Sequence, residues 1–247
     1  MDTPGYIVLS RLAAQQRATD VLAANIANAD TPGYKANETV FATQLAAQQG
    51  IDTARGGREL AFAIDRATYR DFSPGPQRTT GNPLDIAIGG EGFFVLQTPQ
   101  GDRYTRAGRF TLNAEGGVVD AEGRAVMSDA GPLVIPPNTQ HIEIKGDGSV
   151  LTETGPVGRL RLVRFEAPQQ LQAEGNRNFA APPESPALPV DQPKLVQGAV
   201  EGSNVNSITE ITRLTAELRE FQFAAQFAEG EDNRLKSAVE RILSRKS

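Results

Sequence analysis

Few residues in this chain could carry chemistry. His141 is the single histidine, beside Ile142 and Ile144 in a strand-like run. With no evident base or metal partner, it reads as a structural residue and not as a proton carrier. There is no cysteine, which removes disulfides, thiolate metal sites and a cysteine nucleophile. Metal binding would fall to carboxylates, but the acidic stretch Glu229 to Asn233 lacks the Asp-x-Asp-x-Asp-Gly order of a calcium loop. It reads as a solvated kink in a helix. The run "GGEGFF", Gly89 to Phe94, resembles a fragment of a dinucleotide glycine loop. A strand-like run follows it where a helix should start, so the phosphate-cradling geometry is missing and a turn or bulge is expected. The run "KGDGSV", Lys145 to Val150, reads as a hairpin tip. Asp65, Asp71 and Asp85 could be imagined as paired carboxylates for glycoside hydrolysis, where separation in space decides. The lack of tryptophan and the 4 tyrosines argue against a sugar groove. No catalytic residue, no metal site and no cofactor is expected.

The elements that would position side chains fall into three zones. From about Thr3 to Ala29 the chain reads as helix. Thr3 can cap it, and Pro4 at the first helical position loses nothing by lacking an N–H. Val8, Leu12, Leu22, Ile26 and Ala29 share one face at three-four spacing, interrupted by Gln15 and Thr19. Pro32 pushes its predecessor towards extended geometry and Gly33 permits a turn, so the helix should end between Asn28 and Thr31.

The middle, about Leu60 to Val200, reads as β structure. Leu84, Ile86 and Ile88 alternate, and Phe93 to Leu96 follow a glycine break. "RFTLNAEGGVVD" and "IEIKGDGSVL" are hairpin candidates. In "VGRLRLVRF", Leu160 and Leu162 fall on one face, Arg159 and Arg161 on the other. Phe179 to Pro193 holds five prolines and should be an extended connector. The last zone is helical again. Ser207 and Glu210 form an S-x-x-E capping box. Ile211, Leu214, Leu218, Phe221, Ala225, Ala228, Leu235, Val239 and Ile242 then keep heptad spacing, broken by Asp232. That argues for a coiled coil about 55 Å long, with a weak point at Gly230. The fold class is α+β and multidomain. Residues 1–35 form the N-terminal helix of a coiled-coil domain, 36–79 a linker or arm, 80–200 a central all-β domain, and 201–247 the C-terminal helix.

The 25 basic and 30 acidic residues give a net charge of −5. Nucleic acid and anionic membranes both demand cationic patches, so neither is an expected partner. No stretch reaches the ~18–20 apolar residues of a membrane span. The start lacks a basic segment, and its apolar run Tyr6 to Leu9 is too short for a signal core. The usual reading is cytoplasmic, with another secretion route open. Each terminal stripe is too long to hide against a compact neighbour, so other helices are expected to cover it.

Three motifs carry a resemblance. "VLAANIANADTPGYK", Val21 to Lys35, looks like the N-terminal signature of bacterial flagellar rod, hook and hook-filament axial proteins. Thr80 to Val126, "TGNPLDIAIGGEGFFVLQTPQGDRYTRAGRFTLNAEGGVVDAEGRAV", is similar to the central motif of the rod and hook members. Val200 to Gln222 resembles their C-terminal signature. The three lie in the family's order. Thr68 to Asp85 and the length look most like proximal members of the flagellar basal-body rod protein family, with the distal rod as nearest rival. Ala24 departs from the pattern, where many members have a second consecutive Asn; Asn25 and Asn28 match it.

The resemblance implies terminal helices joined as an inner coiled-coil domain with a β-rich outer domain. It implies export unfolded through the flagellar export apparatus, without a cleaved signal, into a periplasmic rod. Copies of the chain and other rod proteins would be its partners. The interface residues expected are Val8, Leu12, Leu22, Asn25, Ile26 and Asn28 in the first helix. In the second they are Ile211, Leu214, Leu218, Phe221, Ala225, Leu235, Val239 and Ile242. Polar seam positions Gln15, Thr19 and Asn25 could fix register. The competing reading from a different class is a monomeric β domain that binds a ligand or acts as an enzyme, its helices an ordinary coiled-coil tether.

Overall fold

A computed structural model of the protein describes residues 3–47, 59–175 and 177–244. The chain divides into two compact units. One comprises Met1–Ala27, Asn37–Tyr69 and Asn206–Ser247; the other comprises Asn28–Ala36 and Arg70–Val205.

The first unit holds two helices, α1 (Thr3–Ala27) and α2 (Ser207–Ser244), and the paired strands β1 (Asn37–Ala47) and β2 (Glu59–Arg70). α1 stops at Ala27, just ahead of the expected end. α1 and α2 pack on each other. Asn25 reaches Glu210 while Gln15 reaches Glu220, so the two helices run antiparallel. The start of α2 differs from the capping box read in the sequence. Asn206 caps it: its Oδ1 accepts from the amides of Ile208 at 3.1 Å and Thr209 at 3.2 Å. Glu210 is not free to reach back to a cap, because its carboxylate is buried against Asn25. The helix continues through Gly230.

The second unit is β-rich. Its largest sheet has ten strands and is built around β5 (Phe93–Thr98), which pairs antiparallel with β6 (Gly101–Thr105), with Ala125–Ser128 and with Leu162–Arg164. Both sequence hairpins form: Thr111–Leu112 pairs with Val118–Val119, and Ile142–Ile144 with Ser149–Thr152. The proline-rich stretch joins the sheet as short segments at Asn178–Ala180 and Leu188–Pro189. Each pairs over two or three positions, as prolines lacking an N–H allow.

The continuous apolar run of β5 follows from covering both faces. Phe94 and Leu96 enter a core with Ile86, Phe110, Val126, Val150 and Leu160. Phe93 and Val95 point the other way, into a core with Tyr104, Val163, Phe165 and Phe179. Side chains alternate along a strand, so only a strand buried on both faces is apolar at every position. Phe94 meets Phe110 edge-on at 5.1 Å, and Phe93 meets Phe72, Phe165 and Phe179 at 5.7–5.8 Å.

Phe94 is fully buried. Phe94→Ala should therefore cost about 3–5 kcal/mol through lost transfer energy and the cavity left behind. The shift of the urea midpoint followed by far-UV circular dichroism measures it; a loss under about 1 kcal/mol would show that this core can collapse around the gap.

Candidate functional site

Two polar clusters and one apolar face stand out from ordinary packing. The first cluster lies in the unit that holds α1 and α2. Asn25 is 2% exposed. Its Nδ2 donates to the Asn37 carbonyl at 2.9 Å and to Glu210 Oε2 at 3.1 Å, and its Oδ1 accepts from the Asn37 amide at 2.9 Å. One amide side chain thus fixes α1 against both β1 and α2. Along the same pair, Gln15 Nε2 donates to Glu220 Oε2 at 3.4 Å, and exposed Arg11 joins the same carboxylate at 3.3 Å. Glu217, on this stretch of α2, has its carboxyl pushed up by burial and by neighbouring Glu220, with Arg11 opposing. Thr19 spends its hydroxyl on its own helix, donating to the Gln15 carbonyl at 2.9 Å. It is therefore no register device of the kind Asn25 can be.

The second cluster lies in the β unit and places three charged side chains in the interior. Lys35 is 0% exposed, Glu201 1% and Arg106 4%. Lys35 Nζ donates to Glu201 Oε1 and to the Ser73 carbonyl, each at 2.6 Å. Arg106 Nε sits 3.0 Å from Glu201 Oε2, and its Nη1 donates to the carbonyls of Gly90 at 2.8 Å and Gly92 at 2.7 Å. The Gly75 amide donates to Glu201 Oε1 at 3.0 Å. Burial pulls the Lys35 ammonium below its ordinary value, with Glu201 working against that pull; Arg106 is lowered by burial in the same way.

Backbone geometry closes the cluster. The Gly33 amide donates to the Glu201 carbonyl at 2.8 Å, and the Ala36 amide to Asn204 Oδ1 at 2.8 Å. Gly33 has φ +71°, and a Cβ there would lie 2.4 Å from the Ala107 nitrogen. A Cβ on Gly75 would lie 2.1 Å from the Gly202 carbonyl oxygen. Both positions require glycine. The glycine run 89–92 turns between β4 (Ile86–Ile88) and β5, and two of its carbonyls face Arg106. Those groups are acceptors for a cation, the opposite of a phosphate cradle.

The apolar face belongs to α2. At 3.6 residues per turn, Glu210, Leu214, Phe221 and Ala224 share one side of the helix. These are buried or half-buried. Ile208, Ile211, Leu218, Phe223 and Phe227 lie off that side and are exposed, Ile208 by 79% and Phe223 by 74%. Thr212 and Thr215 turn their hydroxyls onto the carbonyls of Ile208 and Ile211, which leaves no hydroxyl donor of theirs seeking a partner there.

The interface residues expected from the sequence therefore divide. Asn25 is buried; Leu12, Leu22, Ile26, Asn28, Leu214, Phe221 and Ala225 are half-buried; Ile211 and Leu218 are exposed. The side chains of Val8, Leu235, Val239 and Ile242 lie outside the described residues. Asn28 belongs to the β unit, where its backbone carbonyl accepts from the Thr31 amide at 3.1 Å and its Oδ1 from the Thr31 hydroxyl at 3.2 Å. Arg106 and Glu201 were not among the expected residues. Their signal was a charged residue set in short apolar or glycine-rich surroundings, Arg106-Ala-Gly and Ala-Val-Glu201-Gly.

Groups that invited chemical readings have local roles. His141 is exposed, and its backbone amide donates to Glu153 at 2.5 Å. Asp71 accepts from the Ser73 amide and hydroxyl, and Asp85 from Asn82. The side chain of Asp65 lies outside the described residues. Among the described residues no group of three His, Asp or Glu is placed to hold a metal.

Comparison with known proteins gives three family matches in chain order. Residues 6–35 match the family described as flagella basal body rod protein. Residues 87–152 match the flagellar hook protein FlgE/F/G D1 domain, and residues 196–241 the flagellar basal body rod FlgEFG protein C-terminal region. The flagellar basal-body rod protein FlgF of Caulobacter vibrioides is 35% identical over 98% of this chain and 98% of its own. FlgF of Mesorhizobium japonicum is 32% identical over 94% and 96%. FlgG of Agrobacterium fabrum is 30% identical over 87% and 90%.

The two clusters give separate predictions. Asn25→Leu removes the side-chain partner of the Asn37 amide and of Glu210 Oε2, with Arg213 still on Oε1, and should cost about 1–3 kcal/mol. Asn25→Asp should cost more, because it sets a second carboxylate beside Glu210. In the β unit, Glu201→Gln leaves two buried cations without an anion, while Lys35→Met keeps the Arg106–Glu201 pair. Breaking such a pair costs about 3–5 kcal/mol, so Glu201→Gln should be the more damaging change. Urea denaturation of the purified full chains ranks them; the reverse order would show that the charges are not acting as one set.

Proposed function

The chain belongs to the flagellar basal-body rod protein family, and from that premise we propose that it is an F-type subunit of the proximal rod which transmits torque across the periplasm. As a member it is a structural, axial component of the basal body that assembles with other rod components. The F-type reading over the distal, G-type one is supported within one organism, Caulobacter vibrioides, whose FlgF is 35% identical and whose FlgG is 29% identical to this chain.

The observation that carries the reading is the outward side of α2. Ile211 and Leu218 keep the heptad spacing of Leu214 and Phe221 yet are exposed by 51% and 45%. A helix that spends half its seam on α1 has the other half for a neighbouring subunit. Each apolar side chain covered on docking contributes about 1.5–3 kcal/mol. Ordering the backbone costs about 1–2 kcal/mol per residue, so long seams suit the ends better than short ones. Residues 1–35 and 201–247 would then supercoil as the coiled-coil domain, with 36–79 as an arm and 80–200 as the β domain. The interface would use Leu12, Leu22, Ile26 and Asn28 together with Ile211, Leu218, Ala225 and the heptad residues beyond. Val8, Leu235, Val239 and Ile242 extend that stripe in sequence.

Export as an unfolded chain through the flagellar export apparatus belongs to the same reading. Among the described residues no helix is long and apolar enough to cross a membrane.

Deletion of the gene should abolish rods and swimming. Restoring the wild-type chain should recover both. A chain carrying Ile211→Asp and Leu218→Asp should fold as before, since both sites are exposed, with a stability change within about 0.5 kcal/mol per site. It should still fail to restore swimming in soft agar or basal bodies by electron microscopy. Full recovery with the double variant would remove the α2 face from the interface.

A further inference from the structure

We infer that Lys35, Arg106 and Glu201 form a charge lock that holds back closure of the β unit until both ends of its discontinuous chain arrive. The three side chains come from far-apart stretches: the Lys35–Glu201 bond joins positions 166 apart, and Arg106 lies between them in sequence. All three are buried, and both cations lean on the one carboxylate.

Taking an ion out of water is costly, and attraction offsets the cost only when geometry and hydrogen bonds are complete. Here completeness also needs the Ser73, Gly90 and Gly92 carbonyls and the Gly75 amide. Two cations on one carboxylate leave a net positive charge, so the backbone carbonyls must take the excess donors. Burying either cation with Glu201 alone leaves carbonyl acceptors idle, and burying the two cations alone leaves them without an anion. The charged groups therefore stay hydrated until all can enter together.

The apolar cores face no such condition. Both draw their members from between Phe72 and Leu195 and need neither the 28–36 segment nor the 199–205 segment. The cores can gather first, and the closing segments are fixed last. Those segments are the ones that continue in sequence into α1, β1 and α2. Bringing positions 35 and 201 together is also a long loop closure, the kind of contact that forms slowly. The lock orders events inside one unit and does not depend on which rod position the subunit takes.

Refolding of the purified full chain tests this. Brief unfolding before each refolding jump keeps the prolines in their native isomers and removes that slow phase. Tyrosine fluorescence reports core formation through Tyr104 and closure through Tyr34, buried next to Lys35 in sequence, and the slowest phase is the one compared. The K35M/R106M/E201L chain, with apolar side chains of similar size, should refold about tenfold faster than wild type. Equal or slower refolding overturns the lock. A second measurement on the wild type decides the matter even where that variant does not fold. In pulsed amide exchange, the Gly33 and Gly75 amides should gain protection after those of β5 and β6. Protection at the same time as, or before, those strands overturns the inference.

Discussion

Three charges in a dry interior are the constraint from which the β unit takes its form. Lys35, Arg106 and Glu201 are buried almost without remainder; Lys35 hydrogen-bonds Glu201 Oε1, while Arg106 faces Oε2 as an ion pair at 3.0 Å without a hydrogen bond of good geometry. An apolar core tolerates shifts of a few tenths of an ångström. A buried ion set does not, because a lost hydrogen bond there exposes the full desolvation cost. Around the set, chain positions are narrowly prescribed. Gly33 and Gly75 must be glycines so that backbones can approach, and the Gly90 and Gly92 carbonyls must turn inward. The family motifs at the two ends and in the middle each supply one of the three ions. This gives a physical reason for all three to occur in one chain: each is incomplete without the others.

The helical unit solves a different problem with the same economy of polar groups. Asn25 uses its amide in both directions, donating and accepting, to tie α1 to β1 and α2. A fully apolar seam would let two amphipathic helices slide by a turn at little cost. One buried amide with three matched partners penalises the slip. What α2 leaves outside is as informative as what it buries. Thr212 and Thr215 return their hydroxyls to the backbone, and Ile208, Ile211, Phe223 and Phe227 stay exposed. A surface with its donors already satisfied and its hydrocarbon open is prepared for another helix, which suits a subunit that exists to be stacked.

These arrangements divide labour within the chain. The β cores supply bulk stability through ordinary burial, as the doubly covered β5 illustrates. The charge set supplies uniqueness, since it can be completed in one way. The helices leave apolar side chains of α2 in the open, the surface proposed above for association. The polar residues His141, Asp71 and Asp85 serve turns and strand edges.

Much of this was legible before any coordinates. The alternation through Ile86, Ile88 and Phe93 to Leu96 marked strands, and the glycine tips at 115–117 and 146–148 marked hairpins that form as read. These signals are local: a strand's period and a turn's φ are set by neighbours a few residues away. The motif at the end of α1 likewise singled out Asn25, which the structure buries. Three things were decided by the tertiary fold. The cap of α2 moved to Asn206 because Glu210 was claimed by Asn25, 185 positions distant. The heptad stripe split into a covered and an open side because α1 is too narrow to cover all of it. Arg106 and Glu201 became the centre of a cluster although their spacing carries no period at all. Long-range electrostatic pairing leaves no periodic trace in a sequence, since what matters is where the chain returns in space and how little water remains there.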